Sequence, residues 1–285
     1  MKTIHVIART LPEGWETAVR RCWEEGVPFR TQYDRPGDPE SRDVACLIHV
    51  TEPFAEPRIH KAFPAGLEDL EVYRAEVLYG VHDHWIAPEE GKWEYTYHER
   101  LRAYRVPGRE TIDQVAEVVR MLRQTPHSRR AQAVTWQAWR DLGIADPACL
   151  QRMWFRVEEP EGEAAPRLNL AVHIRSNDAF KAAFMNMYAF TELQRQVAGE
   201  VGVAPGEYVH VADSFHIYGS YFDEFESFLK MLEARPDRTF TSAFAQPVFA
   251  DGVRRLLAED DLPEETRPVL EHRLAELTRT EGGNA

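Results

Sequence analysis

The chain has 285 residues, 44% of them hydrophobic and 11% aromatic, which is the composition of an ordinary globular protein with core enough for one large domain or two small ones. A formal net charge of −13 argues against a general nucleic-acid surface, because polyphosphate binding needs a basic footprint. The longest apolar runs are broken by charge well short of a membrane span, and the opening residues lack the apolar core and cleavage site of a signal peptide, so a cytoplasmic chain away from membranes is expected.

Thr3 to Ala8 reads as a strand, and Pro12 to Glu25 as a helix whose apolar face carries Trp15, Val19, Cys22 and Trp23. A turn-rich stretch, Tyr33 to Ser41, leads into a second strand, Val44 to Val50. Leu70 to Leu78 reads as helical. Thr111 to Arg123 places Ile112, Val115, Val118, Val119 and Leu122 at helical spacing, with Thr111 as the expected N-cap. Cys149 heads a strand running to Val157. Arg167 to Arg175 alternates like a half-buried strand, with Leu168, Leu170, Val172 and Ile174 inward and Arg175 on the polar face at its end. Asp178 to Val201 is expected to be a long buried helix, and Pro263 to Leu277 an amphipathic one. The alternation of strands and helices implies an α+β fold. There is no internal repeat and no linker strong enough to divide the chain.

Three cysteines, Cys22, Cys46 and Cys149, are an odd number without metal-ligand spacing, which suits a reducing compartment and leaves at most one with chemistry. A free thiol ionises near pH 8.5, so it needs help at neutral pH, and a neighbouring guanidinium gives that help. Cys149 beside Arg175 is the candidate pair. Cys22 and Cys46 are expected to be structural, the usual fate of a lone buried cysteine. Arg129, Arg130 and Arg175 cluster among these motifs, so a locally positive pocket for a small phosphate ligand is compatible with an acidic chain. Asn186 falls inside the expected buried helix and must find a partner, since an unpaired buried amide costs about 1–3 kcal/mol.

Several spaced segments occur in one order: Ser128-Arg129-Arg130, Ala148-Cys149-Leu150-Gln151, Arg175-Ser176-Asn177-Asp178, Asn186, Gly206-Glu207-Tyr208-Val209 and His216-Ile217-Tyr218. Together they resemble the thymidylate synthase family, most strongly from Pro126 to Tyr221. The resemblance implies a large mixed sheet flanked by helices, with one sheet face forming a homodimer interface, and a single domain over residues 1–285. Within it lie a divergent N-terminal part (1–110), a motif-bearing core (111–235) and a C-terminal helical part (236–285).

It also implies roles. Cys149 would add to C6 of the uracil ring of dUMP, Arg175 and Ser176 would hold the phosphate, and Arg129 and Arg130 would reach the neighbouring subunit's site. Asn186 would read the uracil edge with one donor and one acceptor, and His216 and Tyr218 would contact the ribose 3′-hydroxyl. Arg35, in Asp34-Arg35-Pro36-Gly37, resembles the family's phosphate loop, a plain turn being the other reading. Glu76 would organise proton-relaying water, and Tyr97 would assist removal of the C5 proton. Asp178 would bond the pterin, and Trp85 or Trp93 would pack on the folate.

The cosubstrate implied is 5,10-methylenetetrahydrofolate, both carbon donor and reductant, with no metal required. The chain departs from the common pattern at Leu150, Ile174 and Ala182; its Leu150-Gln151 continuation and its Arg175-Ser176-Asn177-Asp178 segment resemble a divergent, archaeal-type branch, and its end, Thr278 to Ala285, lacks the usual apolar closing segment. Two rivals to dUMP methylation stay open. One is a pyrimidine nucleotide hydroxymethylase, in which water captures the exocyclic methylene; the other is an inactive nucleotide- or RNA-binding relative.

Overall fold

Ile4, Val6 and Ala8 alternate with Thr3, His5 and Ile7, and in the computed structural model the first set is buried and the second exposed along strand β1 (Thr3–Ala8). The structure describes residues 1–279 except 160, 161, 163 and 164. Helix α1 (Leu11–Glu25) follows, capped by the Thr10 side chain, with proline early in its first turn. Then come β2 (Val27–Phe29), β3 (Ser41–Val50), the short β4 (Ile59–His60), α2 (Leu67–Tyr79), α3 (Tyr97–Arg102) and α4 (Gln114–Gln124). The chain continues through β5 (Gln132–Val134), α5 (Ala138–Asp141), β6 (Leu150–Glu158), β7 (Arg167–Asp178), α6 (Ala183–Val201) and β8 (Ala204–Ile217). It closes with α7 (Phe222–Ala234), β9 (Thr239–Phe240), α8 (Ser242–Leu257) and α9 (Arg267–Thr278).

The main sheet runs β1-β3-β8-β7-β6-β5, with β2 added along β3, and β4 pairs separately with β9. It is mixed: β1 is parallel to β3 and β7 to β8, while β3–β8, β6–β7 and β5–β6 are antiparallel. The expected α+β arrangement with a large mixed sheet is therefore present. The parallel pair β7/β8 is joined through α6, as a parallel connection requires. One sheet face supplies Val44, Ile48, Phe155, Leu170, Val172 and Ile174 to a core that α1, α2, α4 and α6 cover. The other face carries His5 and Ile7, Leu47 and His49, Val209 and Val211, Ala171 and His173, and Trp154, all exposed or half-exposed in the single chain. Ile7 is 65% exposed there.

Several boundaries differ from expectation. The strand read as ending at Arg175 continues to Asp178, and the helix expected from Asp178 begins at Ala183. Asp178 Oδ1 accepts the N–H groups of Phe180 and Lys181, at 3.0 and 2.8 Å, so it closes a turn with the chemistry of a helix cap. Thr111 does not cap α4; Asp113 does, accepting from Ala116 N–H at 2.9 Å, because residue 112 is held extended by pairing with Tyr104. The last helix starts at Arg267 rather than Pro263 and buries only Leu270 and Leu277.

Candidate active site

Parallel strands open a crevice beyond their carboxyl ends, and β7 and β8 end together, Ser176 opposite Ser214 and Asp178 opposite His216. Antiparallel β6 starts beside them, Leu150 facing Ile174, with a bulge between Leu150 and Arg152. Helix α1 pins this end of the sheet: fully buried Trp15 donates from Nε1 to the Ala179 carbonyl at 2.9 Å, and Ala179 N–H donates to the His216 carbonyl at 2.8 Å. Two cavities of about 660 and 850 Å3 meet here and share Asp146, Cys149, Ser176, His216 and Tyr218.

Cys149 is the half-buried thiol; Cys22 and Cys46 are buried, and burial pushes the Cys46 thiol up to about 12 and Cys22 higher still. Arg175 lies beside Cys149, as the sequence pairing requires, but most of its guanidinium hydrogen bonding goes to backbone. Nε donates to the Ala148 carbonyl at 3.1 Å and Nη2 to that of Pro147, while Arg175 N–H donates to the Cys149 carbonyl. The expected net lowering of the thiol is not found: burial raises Cys149, Arg175 pulls it down, and exposed Asp146 pushes it up again, leaving the net shift upward.

On the first cavity's wall, α2 presents Tyr73 and Glu76 one turn apart. Asn186, 5% exposed, accepts from the Tyr73 hydroxyl through Oδ1, and its Nδ2 finds no acceptor among the described residues. It therefore has the partner its burial demands and keeps a donor directed to the cavity it lines. Tyr97 is the first residue of α3, a helix held by fully buried Arg100, which grips both carboxylate oxygens of Asp141 at 2.7 and 3.0 Å and the Thr135 carbonyl at 2.9 Å. Its hydroxyl accepts Leu150 N–H, and Tyr95's accepts Cys149 N–H, each at 3.3 Å. Burial lifts Tyr97 well above the usual phenol range, so it serves as a neutral hydroxyl. Asp178 is lifted by burial to about 6 even though two N–H groups and Lys181 favour its charge.

The second cavity holds Arg35, Arg175, Ser176, His216 and Tyr218. Arg35 is exposed in a turn where Asp38 Oδ2 accepts its N–H at 2.9 Å, and its guanidinium pairs with no described residue. That turn packs against Gly219, where a Cβ would run into the Pro39 carbonyl, so glycine is needed for the approach. Tyr218 lies just past β8 rather than within it, its ring edge-on to His216 at 4.6 Å. Burial lowers His216 to about 4, so it is neutral at physiological pH; Ser214 Oγ sits 3.1 Å from its Nδ1 and also donates to Asp43. Asp34, Asp38, Asp43 and Asp146 line this cavity too, outnumbering its two arginines.

Three expected residues are elsewhere in the protomer. Arg129 and Arg130 are exposed; Trp154 Nε1 donates to the Arg129 carbonyl at 3.0 Å, five residues along β6 from Cys149, a span of about 17 Å. Ala131 and Ala133 are buried while Arg130 and Gln132 are exposed, which puts Arg130 on the uncovered sheet face. Trp85 does not line either cavity; it stacks on His82, and Trp93, edge-on to Trp85 at 5.1 Å, lines the first one. The chain end at residues 280–285 lies outside the described residues. Tyr73, Tyr95, Asp146 and Asp43 were not singled out from sequence. Tyr73 was within reach, being three residues before Glu76 on a helix, and Tyr95 alternates with Tyr97. Among the described residues no group of three or more His, Cys, Asp or Glu is placed to hold a metal ion, and no helix is long and apolar enough to cross a membrane.

Residues 67–246 match the thymidylate synthase family, more than half of the chain, and the protein belongs to that family. Among its relatives, a protein of Methanosarcina acetivorans named "Putative thymidylate synthase" is 27% identical over 223 residues, covering 78% of this chain and 93% of that one. One of the same name from Methanocaldococcus jannaschii is 31% identical over 177 residues, 60% of this chain and 72% of that one. The fold is similar to that of thermostable thymidylate synthase A from Bacillus subtilis, with a TM-score of 0.60 at 20% identity over 78% of this chain and 84% of that one.

Proposed function

We propose that the protein is a folate-dependent one-carbon transferase that converts dUMP and 5,10-methylenetetrahydrofolate to dTMP and dihydrofolate. The observation that carries this reading is the position of Cys149 where two cavities meet, with Asn186, Tyr97, Glu76 and Asp178 on one side and Arg35, Arg175, Ser176, His216 and Tyr218 on the other. The nucleotide lies with its phosphate in the second cavity and its ring edge against Asn186. Cys149 Sγ adds to C6, and C5 becomes the carbon nucleophile that takes the methylene group from the folate in the first cavity. Loss of the C5 proton through water ordered by Glu76 and the Tyr97 hydroxyl expels tetrahydrofolate and forms an exocyclic methylene. Hydride from that tetrahydrofolate then completes the methyl group as the C6–Sγ bond breaks, leaving dTMP, dihydrofolate and the Cys149 thiolate. Asp178 meets the pterin, and Trp93, rather than Trp85, is the tryptophan in reach of the folate.

The working unit in this reading is a homodimer joined through the uncovered sheet face. Arg175 and Arg130 both stand on that face, and the second cavity has too few cations of its own for a phosphate dianion. Arg129 and Arg130 of one protomer supply the other, and their charge also draws the neighbouring thiol toward thiolate, which Arg175 alone does not achieve. Mass spectrometry of the product from dUMP and methylenetetrahydrofolate tests the reaction. Capture by hydride gives dTMP; a product heavier by one oxygen atom is the hydroxymethyl nucleotide and rejects the methylation reading, and no product rejects both.

A further inference from the structure

One buried titratable side chain that the reaction above does not use is aimed at Glu76. His82 is 3% exposed, with Nδ1 2.7 Å from Glu76 Oε1 and Nε2 3.1 Å from Glu259 Oε2. Its ring lies flat on Trp85, centroids 3.7 Å apart and planes 7° from parallel, and Trp85 is itself fixed by donating from Nε1 to Asp261 at 3.0 Å. An imidazole with a carboxylate on each nitrogen donates from both. Burial would push His82 down, but Glu76 and Glu259 together outweigh it and hold it above its usual value. The corner that brings His82 back over Glu76 depends on Gly80, at φ 65°, where a Cβ would collide with the His98 ring and Asp83. Glu259 and Asp261 come from the turn after α8, far away in sequence. Two independent contacts, one to the imidazole and one to the indole beneath it, thus join that turn to a wall of the cavity.

We propose that His82 is the positioning residue for Glu76, fixing its carboxylate through Nδ1 and anchoring it through Nε2 to Glu259 in the turn after α8. The inference rests on reading Glu76 as the group that orders water for removal of the C5 proton. Its two linkages are separable, because an asparagine amide nitrogen takes the place of Nδ1 and a glutamine amide nitrogen that of Nε2. Release of tritium from 5-tritiated dUMP should then fall by less than about 3-fold in His82→Asn and by about 30-fold or more in His82→Gln, the loss expected for a misplaced hydrogen-bonding group. The KM for dUMP should move by less than about 2-fold in both, since Glu76 acts on the proton and not on nucleotide binding. Glu259→Gln, which leaves the His82 ring and its Nδ1 contact to Glu76 in place, should likewise lower tritium release by less than about 3-fold with the same unchanged KM. Crystal structures of the two His82 variants supply a readout without turnover: Glu76 keeps its place in the asparagine variant and leaves it in the glutamine variant. Equal turnover of the two His82 variants, a loss carried by KM, or Glu76 undisplaced in both crystals overturns the role of His82. Absence of tritium release by the parent enzyme instead rejects the functional reading, while the crystals still decide whether His82 positions Glu76.

Discussion

Asp178 is a charge kept in the wrong environment, and removing it should stabilise the protein. Unfolded, its carboxyl ionises near 3.8; folded, burial carries it to about 6. Between those values the folded chain keeps a proton that the unfolded chain has released, so stability falls as pH rises through that window and stays lower above it. The displacement corresponds to about 3 kcal/mol, an upper value because the side chain is not fully closed off from solvent. Asp178→Asn removes the charge without removing structure, since both backbone N–H groups are accepted by Oδ1, which asparagine retains. Thermal melting at fixed protein concentration should therefore give the variant a gain of about 2–3 kcal/mol at pH 8, roughly 4–8 °C, shrinking to less than about 1 kcal/mol at pH 4 and vanishing only well below the unfolded value of 3.8. Activity should fall, because the reading gives this carboxyl to the pterin. A variant no more stable than the parent at pH 8, or a gain that does not shrink on acidification, refutes the argument.

Asn186→Asp replaces a donor by an acceptor in a desolvated site; dUMP turnover should drop by about 1–3 kcal/mol in kcat/KM and relative use of dCMP should rise, and an unchanged preference leaves Asn186 structural. Tyr73→Phe takes away the hydroxyl that holds Asn186 Oδ1, so dUMP kcat/KM should fall by about 1–2 kcal/mol with the fold intact by circular dichroism, and no change excludes Tyr73 from the site. Mixing Cys149→Ala and Arg130→Ala chains should restore one working site per heterodimer, measured as recovered product formation; heterodimers without recovered activity rule out shared sites.

What sequence reveals and conceals follows from the range of the forces involved. Alternation along residues 167–175 reports a local geometry and identified β7, and the buried Leu168, Leu170, Val172 and Ile174 are the four expected inward. The same local logic misplaced the start of α6, because Asp178 bonding two following N–H groups makes the same local bonds as a helix cap, and only pairing with β8 keeps the backbone extended there. Cys149 stood out by its neighbours in sequence, yet its ionisation could not be read from them. Whether Arg175 outweighs burial depends on how much of the fold closes over the thiol. Likewise, nothing local distinguishes Trp85 from Trp93; the contact between Trp85 and Asp261, 176 residues apart, turns one away from the cavity and leaves the other lining it.

Covalent capture tests the central claim most directly. With 5-fluoro-dUMP and methylenetetrahydrofolate, the fluorine at C5 cannot leave as a proton does, so the enzyme should stall as a ternary adduct. Peptide mass spectrometry should place that adduct on Cys149, with none forming in Cys149→Ala. An adduct on Cys22 or Cys46, or no adduct from a preparation that turns over dUMP, contradicts the assignment of Cys149 as the nucleophile.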